Sequence, residues 1–234
     1  MISKTIRGYL VAGAAAALSI FATQAIAADA NPVAQAPVWA VGDSWVYQMS
    51  DAVEHTWNYK RYESVTAVRD GVPAYAGRNE SGSVYSRVTD AEGNETSYHG
   101  GHFGGDGHKV LSFPLFVGKE WDATYIRGNG DGNDARVETH AKVVEFKTLH
   151  TPAGDLPAYR IEISGSFQMS SISGGAINSQ HETMWYAPAA KRLVEYEFTR
   201  PSMDRHPAVE WHLNLLSFQV SQPQEAASET PASN

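Results

Sequence analysis

Cysteine is absent from all 234 residues. That removes disulfides, anchoring through a lipobox cysteine, thiolate nucleophiles and Cys-based metal sites at one stroke. Charge is sparse at 19%, and its Lys and Arg are scattered. No basic run of the kind that grips nucleic acid or an anionic membrane is present. Helical periodicity is scarce as well, and beyond the N-terminus no apolar run is long enough to span a bilayer as a helix. A hydrophobic content of 42% argues against disorder, coiled coil or collagen. What the chain does have is aromatic rings: six Trp, eleven Tyr and eight Phe.

Met1 to Arg7 is short and basic, Tyr9 to Ile20 is apolar and small, and Ala25-Ile26-Ala27 offers small residues at −3 and −1. This order predicts a secretory signal peptide over residues 1–27, cleaved after Ala27 or, as second choice, after Ala30. Losing Lys4 and Arg7 with it moves the formal charge from −8 to −10. A periplasmic or secreted protein with no transmembrane segment is expected. Residues 28–37, rich in Ala, Pro and Gln, read as a linker to a β domain over 38–220. Residues 221–234 are polar and ring-free and read as a disordered tail.

Period-two patterns dominate the domain. Between Ala158 and Met169 the residues Tyr159, Ile161, Ile163, Phe167 and Met169 share one face, while Arg160, Glu162, Ser164, Ser166 and Gln168 share the other. One buried face and one wetted face describe an antiparallel strand. Val194, Tyr196 and Phe198 alternate with Glu195 and Glu197 in the same way. The last strand keeps Val209, Trp211, Leu213 and Leu215 in phase, then switches to Leu216, Phe218 and Val220. A slip of one residue predicts a β-bulge near Leu215. Asp70-Gly71 and Asp90 to Asn94 are hairpin turns by composition.

Short segments recur in one order. Val41-Gly42-Asp43-Ser44-Trp45 returns as Val117-Gly118-Lys119-Glu120-Trp121, Pro73-Ala74-Tyr75 as Pro157-Ala158-Tyr159, and Ser81-Gly82-Ser83 as Ser164-Gly165-Ser166. The pattern predicts two similar halves, about 38–112 and 113–220, forming an all-β open antiparallel barrel or half-barrel.

The opening Trp39-x-x-Gly42-x-x-Trp45-x-Tyr47, the segment Phe116 to Trp121, Thr151-Pro152-Ala153-Gly154 with Tyr159, and Trp185-Tyr186-Ala187-Pro188 leading to Val194-Glu195-Tyr196 carry a resemblance. Together they resemble an uncharacterised family of exported bacterial β-proteins, similar in fold to periplasmic lipoprotein-carrier half-barrels. The resemblance covers about residues 39–200 and implies an aromatic-lined concavity without a catalytic residue. Here Ala189-Ala190-Lys191 stands where the family has Gly after the Pro188 corner.

Three constellations invite chemistry. Gly42-Asp43-Ser44, with Asp204 and His206, follows the order of secreted Gly-Asp-Ser esterases, whose serine acts as nucleophile. The spacing of Asp204 and His206 differs from theirs, and the strand-rich pattern lacks their parallel βα units. His99, His102 and His108 lie in one glycine-rich loop and could converge on a cation. Their spacing fits no closed metal site, and a solvated loop is the simpler reading. Trp45, Trp121, Trp185 and Trp211 sit in strands, where each is either core or the lining of a ligand concavity. No cofactor is implied. The sequence therefore favours a non-enzymatic periplasmic protein that holds a lipid, another apolar small molecule or an envelope protein. A Ser44 hydrolase and a ligand-free interaction module are the alternatives.

Overall fold

The structure is a computed structural model describing residues 32–98, 101–128, 134–169, 177–202 and 208–221. The predicted signal peptide and the 222–234 part of the tail lie outside the described residues. Among the described residues twelve strands run in chain order: β1 (Ser44–Asp51), β2 (Asn58–Arg69), β3 (Val72–Asn79), β4 (Val84–Thr89), β5 (Glu95–Tyr98), β6 (Gly101–Gly105), β7 (Glu120–Gly128), β8 (Ala135–Thr151), β9 (Gly154–Met169), β10 (Ile177–Ala187), β11 (Arg192–Arg200) and β12 (Val209–Gln219). Each pairs antiparallel with its neighbours, and β12 pairs back onto β1. The expected all-β antiparallel barrel forms, but it is closed rather than open. Closure follows from the length of β12, which supplies partners along all of β1, from Ser44 opposite Gln219 to Asp51 opposite Trp211. Neither strand is left with an unpaired row of backbone donors and acceptors.

Alternation sets which residues enter the barrel. Along β8, Ala135, Val137, Thr139, Ala141 and Val143 are buried, while Arg136, Glu138, His140 and Lys142 are exposed. On β9 the inward row is Tyr159, Ile161, Ile163 and Phe167. Charged residues thus coat the outer wall where a membrane barrel would carry an apolar band. No helix among the described residues is long and apolar enough to cross a membrane. The phase slip in β12 is a bulge: Val46 faces Ser217 and Tyr47 faces Leu215, which leaves Leu216 as the extra residue. Asp70-Gly71 joins β2 to β3 with both residues at positive φ, 50° and 78°, as a two-residue hairpin turn requires.

The recurring Val-Gly-x-x-Trp segments adopt one geometry. Gly42 and Gly118 take φ of 95° and 96°, a backbone conformation that side chains strain. Gly42 N donates to Val65 O at 2.9 Å and Val65 N to Asp43 O at 2.8 Å. Gly118 N likewise donates to Val143 O at 2.8 Å, and Val143 N to Lys119 O at 2.9 Å. A register shift follows each, between Val65 and Ala67 and between Val143 and Glu145. Strands β1–β6 fall in 38–112 and β7–β12 in 113–220.

In an up-and-down barrel alternate connections share an end. The end holding the β2–β3, β4–β5, β6–β7, β8–β9 and β10–β11 connections is filled by Trp39, Trp45, Leu111, Leu115 and Tyr186. Residues 32–37, expected as linker, help to seal it. Ala34 and Leu115 exchange backbone bonds of 2.9 and 2.8 Å, and the Tyr159 hydroxyl donates to Pro32 O at 2.7 Å. Toward the opposite end the inward row of β12 opens progressively, from Leu215 at 0% exposure through Leu213 at 7% to a half-buried Trp211.

Candidate functional site

Because the closed end is packed and the other end opens, the barrel interior keeps a cavity of about 310 Å³. That lies at the lower end of the roughly 300–1,000 Å³ typical of small-molecule pockets. Met49, Phe198, Trp211 and Leu213 give it an apolar wall on the side of the open end. Deeper, the lining changes character to charged groups on inward-facing strand positions: Arg61, Arg87, Glu95, Glu182 and Arg192.

One group of charges is built around Glu63, whose side chain is fully buried. Arg61 Nη2 lies 2.8 Å from Glu63 Oε1, and Arg192 Nη2 lies 2.9 Å from Oε2. Arg87 Nη2 is 3.5 Å from Oε1 and 2.6 Å from Glu95 Oε1. The Tyr85 hydroxyl donates to Oε1 at 2.9 Å. Gly77 makes that bond possible, since any side chain at 77 would meet the Tyr85 ring. Burial alone would raise the Glu63 carboxyl, but Arg61, Arg87 and Arg192 together hold it far below the usual carboxylate range. Tyr47, buried beside the same group, is pushed up to about 12, chiefly by burial.

Across the cavity stands a second polar group. Glu182 accepts from Tyr196 OH at 2.6 Å and from Gln180 Nε2 at 3.1 Å, and it contacts His108 Nε2 at 3.1 Å. The imidazole packs against Phe103 and Tyr125, each ring centre 5.6 Å away. Burial disfavours charge on both partners, yet each holds the other ionised, raising His108 and lowering Glu182. The sign for stability follows from linkage. The His108 contribution is complete below about pH 6.5 and is lost as pH rises through its raised folded value. The Glu182 contribution is present above about pH 4.3 and is lost on acidification. Wild-type protein is therefore expected to lose stability on the alkaline side of about pH 6.5, and His108→Gln to flatten that slope. Urea unfolding midpoints from pH 5 to 9 measure the difference, and parallel profiles would refute the pairing.

The residues singled out in the sequence fall in different places. Trp211 lines the cavity, whereas Trp45, Trp121 and Trp185 lie outside its lining. Trp45 belongs to the packed end and donates from Nε1 to Ala190 O at 2.8 Å. Trp121 faces inward near that end and donates to Lys109 O at 3.1 Å. Trp185 sits on the outward row of β10, with Lys147 Nζ 4.8 Å from its ring centre. Of the loop histidines, His108 enters the cavity, His102 is exposed and His99 lies outside the described residues. His102 and His108 do not converge, because the first pairs with Gly128 on β7 while the second faces Glu182.

Gly42-Asp43-Ser44 has a visible structural task. Asp43 is buried and accepts from Ala40 N at 3.0 Å, Lys191 Nζ at 2.8 Å and Ser221 N at 2.7 Å. It ties the start of β1 to the β10–β11 turn and to Ser221, two residues past β12. Lys191 takes the left-handed conformation that suits glycine, at φ 57°, and its salt bridge to Asp43 helps to hold it there. Ser44 pairs within the sheet with Ser64 and Gln219. No histidine or carboxylate hydrogen-bonds its Oγ among the described residues, and Asp204 and His206 lie outside them.

Sequence reasoning overlooked the charged floor. The signal was phase: counting back by twos from Val65 places Glu63 and Arg61 on the buried face. A further cluster, Glu197, Glu210 and His212, brings its ligand atoms within 4.8 Å of one another. It lies on the outward face of β11 and β12, where His212 Nε2 contacts Glu210 Oε1 at 3.0 Å.

No protein-family model and no curated protein matches the chain. Solved structures do. A candidate exported protein with a YmcC-like fold from Bacteroides fragilis is 12% identical over 80% of this chain and 100% of its own, with a TM-score of 0.50. A candidate lipoprotein of Parabacteroides distasonis is 13% identical over 80% and 99%, TM-score 0.48. The hypothetical lipoprotein YmcC of Escherichia coli is 9% identical over 78% and 89%, TM-score 0.46. These neighbours are described as exported proteins or lipoproteins rather than lipoprotein carriers. At such identities the likeness is one of fold.

Proposed function

We propose that this protein is an exported, non-enzymatic binding protein that holds a small molecule with an apolar body inside its barrel. The observation that carries the reading is the cavity of about 310 Å³, walled on its open side by Met49, Phe198, Trp211 and Leu213. Inward apolar side chains at an open barrel end gain stability when an apolar body excludes water from them, at about 25 cal/mol per Å². A closed barrel is also a stiff container, because every strand is paired on both sides. The proposed location is the periplasm or the exterior, consistent with the 1–27 leader pattern.

The neutral fluorescent probe N-phenyl-1-naphthylamine tests this directly. Its emission is expected to rise on addition of the protein and to saturate. Trp211→Asp, which places a charge in the mouth, is expected to weaken binding at least tenfold while leaving the far-ultraviolet circular dichroism unchanged. Failure of the probe to bind, or equal binding by Trp211→Asp, would overturn the reading.

A further inference from the structure

We infer that the outer wall of the barrel carries a site for a zinc-type divalent cation, made by Glu197, Glu210 and His212. None of the three lines the cavity, so the site stands or falls independently of the ligand reading above. Strand geometry brings them together. Glu197 on β11 is the direct cross-strand partner of His212 on β12, and side chains so placed start about 5 Å apart at Cβ. Glu210 precedes His212 by two residues on β12 and therefore leaves the same face. One ligand atom from each of the three lies within 4.8 Å of the other two. Among the described residues no other three His, Asp or Glu side chains gather so closely. Glu197 is exposed, while Glu210 and His212 are half-buried, so a cation reaches them without opening the barrel.

Two contrasts on the same wall set this group apart. Glu120, Glu138, Glu145 and Glu162 each carry a lysine or arginine, at 2.7, 2.9, 3.1 and 2.7 Å. Among the described residues no lysine or arginine pairs with Glu197 or Glu210, and the one ion-pair contact of Glu210 is to His212. Two carboxylates beside one imidazole repel each other unless a cation lies between them. His140 supplies the second contrast, with the same residue types in a different geometry. Its Nδ1 meets Asp122 at 2.8 Å and its Nε2 meets Glu120 at 3.8 Å, so the two acids lie on different sides of the ring and share no point. A concavity of about 180 Å³ adjoins the Glu197 group, bounded by Glu197, His212, Thr183, Trp185, Glu195 and Asn214. Three protein ligands leave one position of tetrahedral zinc open, and the concavity gives a water or an added donor room at that position. One imidazole with two carboxylates suits zinc better than Mg²⁺ or Ca²⁺, which take oxygen ligands.

Calorimetric titration of the untagged, chelator-treated full chain with zinc chloride tests the site. Wild type is expected to bind zinc in the micromolar range, and magnesium chloride is expected not to compete. His212→Gln and Glu197→Gln are each expected to weaken zinc binding at least about tenfold, the loss that removing even an outer-shell partner causes. His140→Gln is expected to bind as wild type does. Absence of binding at millimolar zinc, an unchanged affinity in His212→Gln, an equal loss in His140→Gln or equal competition by magnesium would each overturn the inference. Should His212→Gln not fold, anomalous scattering from zinc-soaked crystals of wild type decides the matter. A zinc peak about 2.1 Å from the His212 imidazole is the expected result, and a peak elsewhere or none would refute the site.

Discussion

Replacing Glu63 with alanine is expected to destabilise the protein by about 3–5 kcal/mol, the range for breaking a buried ion pair from one side. The substitution removes the carboxylate that Arg61, Arg87 and Arg192 share in the barrel interior, while Arg87 keeps its contact with Glu95. It also removes the acceptor of the Tyr85 hydroxyl's 2.9 Å hydrogen bond. Removing Arg192 together with Glu63 should cost less than the sum of the two single changes, because each single variant leaves an unmatched charge. Acid should act through the same carboxylate. Glu63 is held below its ordinary value in the fold, so its stabilisation is present above about pH 4.3 and declines as pH falls below it. Urea unfolding from pH 7 to pH 3 should show a steeper acid loss for wild type than for Glu63→Gln. A Glu63→Ala protein within about 1 kcal/mol of wild type would mean that water reaches this group and screens it.

Trp45→Ala is expected to cost about 3–5 kcal/mol as well, by cavity formation at the packed end. The ring is 1% exposed and stands 6.1 Å from Trp39 and 6.2 Å from Tyr75, with Arg192 5.0 Å above its face. Its Nε1 also occupies the carbonyl of Ala190 in the β10–β11 turn, which the substitution would leave unpaired. The counterpart Trp121 is only half-buried, so Trp121→Ala is expected to cost less. Chemical denaturation of both variants measures the order. A larger loss for Trp121→Ala would contradict the placement of the main core around Trp45.

The sequence is most readable where one strand face is apolar and the other charged. Tyr159, Ile161, Ile163 and Phe167 were assignable to the interior of β9 from alternation alone, and the slip at Leu215 marked the bulge at Leu216. Closure was not readable, since the pairing of β1 with β12 depends on residues about 170 positions apart and on no local pattern. The site was harder still. Glu63, Arg61, Arg87 and Arg192 are charged, and an amphipathic pattern assigns charge to the wetted face. Here they point inward, and the three arginines gather around Glu63. His108 finds its partner Glu182 on a strand 74 residues later. Asp43 shows the opposite error. Next to Ser44 it resembled part of a catalytic motif, yet it is a clasp between the two ends of the barrel sheet.

The central claim is that the barrel interior is a ligand site. Native mass spectrometry of the full-length gene product, purified gently from the compartment to which it is delivered and then denatured, tests it most directly. The account predicts a discrete extra mass that disappears on denaturation and extracts into organic solvent as an apolar compound. A bare protein mass, unchanged after incubation with millimolar octanoate and with N-phenyl-1-naphthylamine, would contradict it.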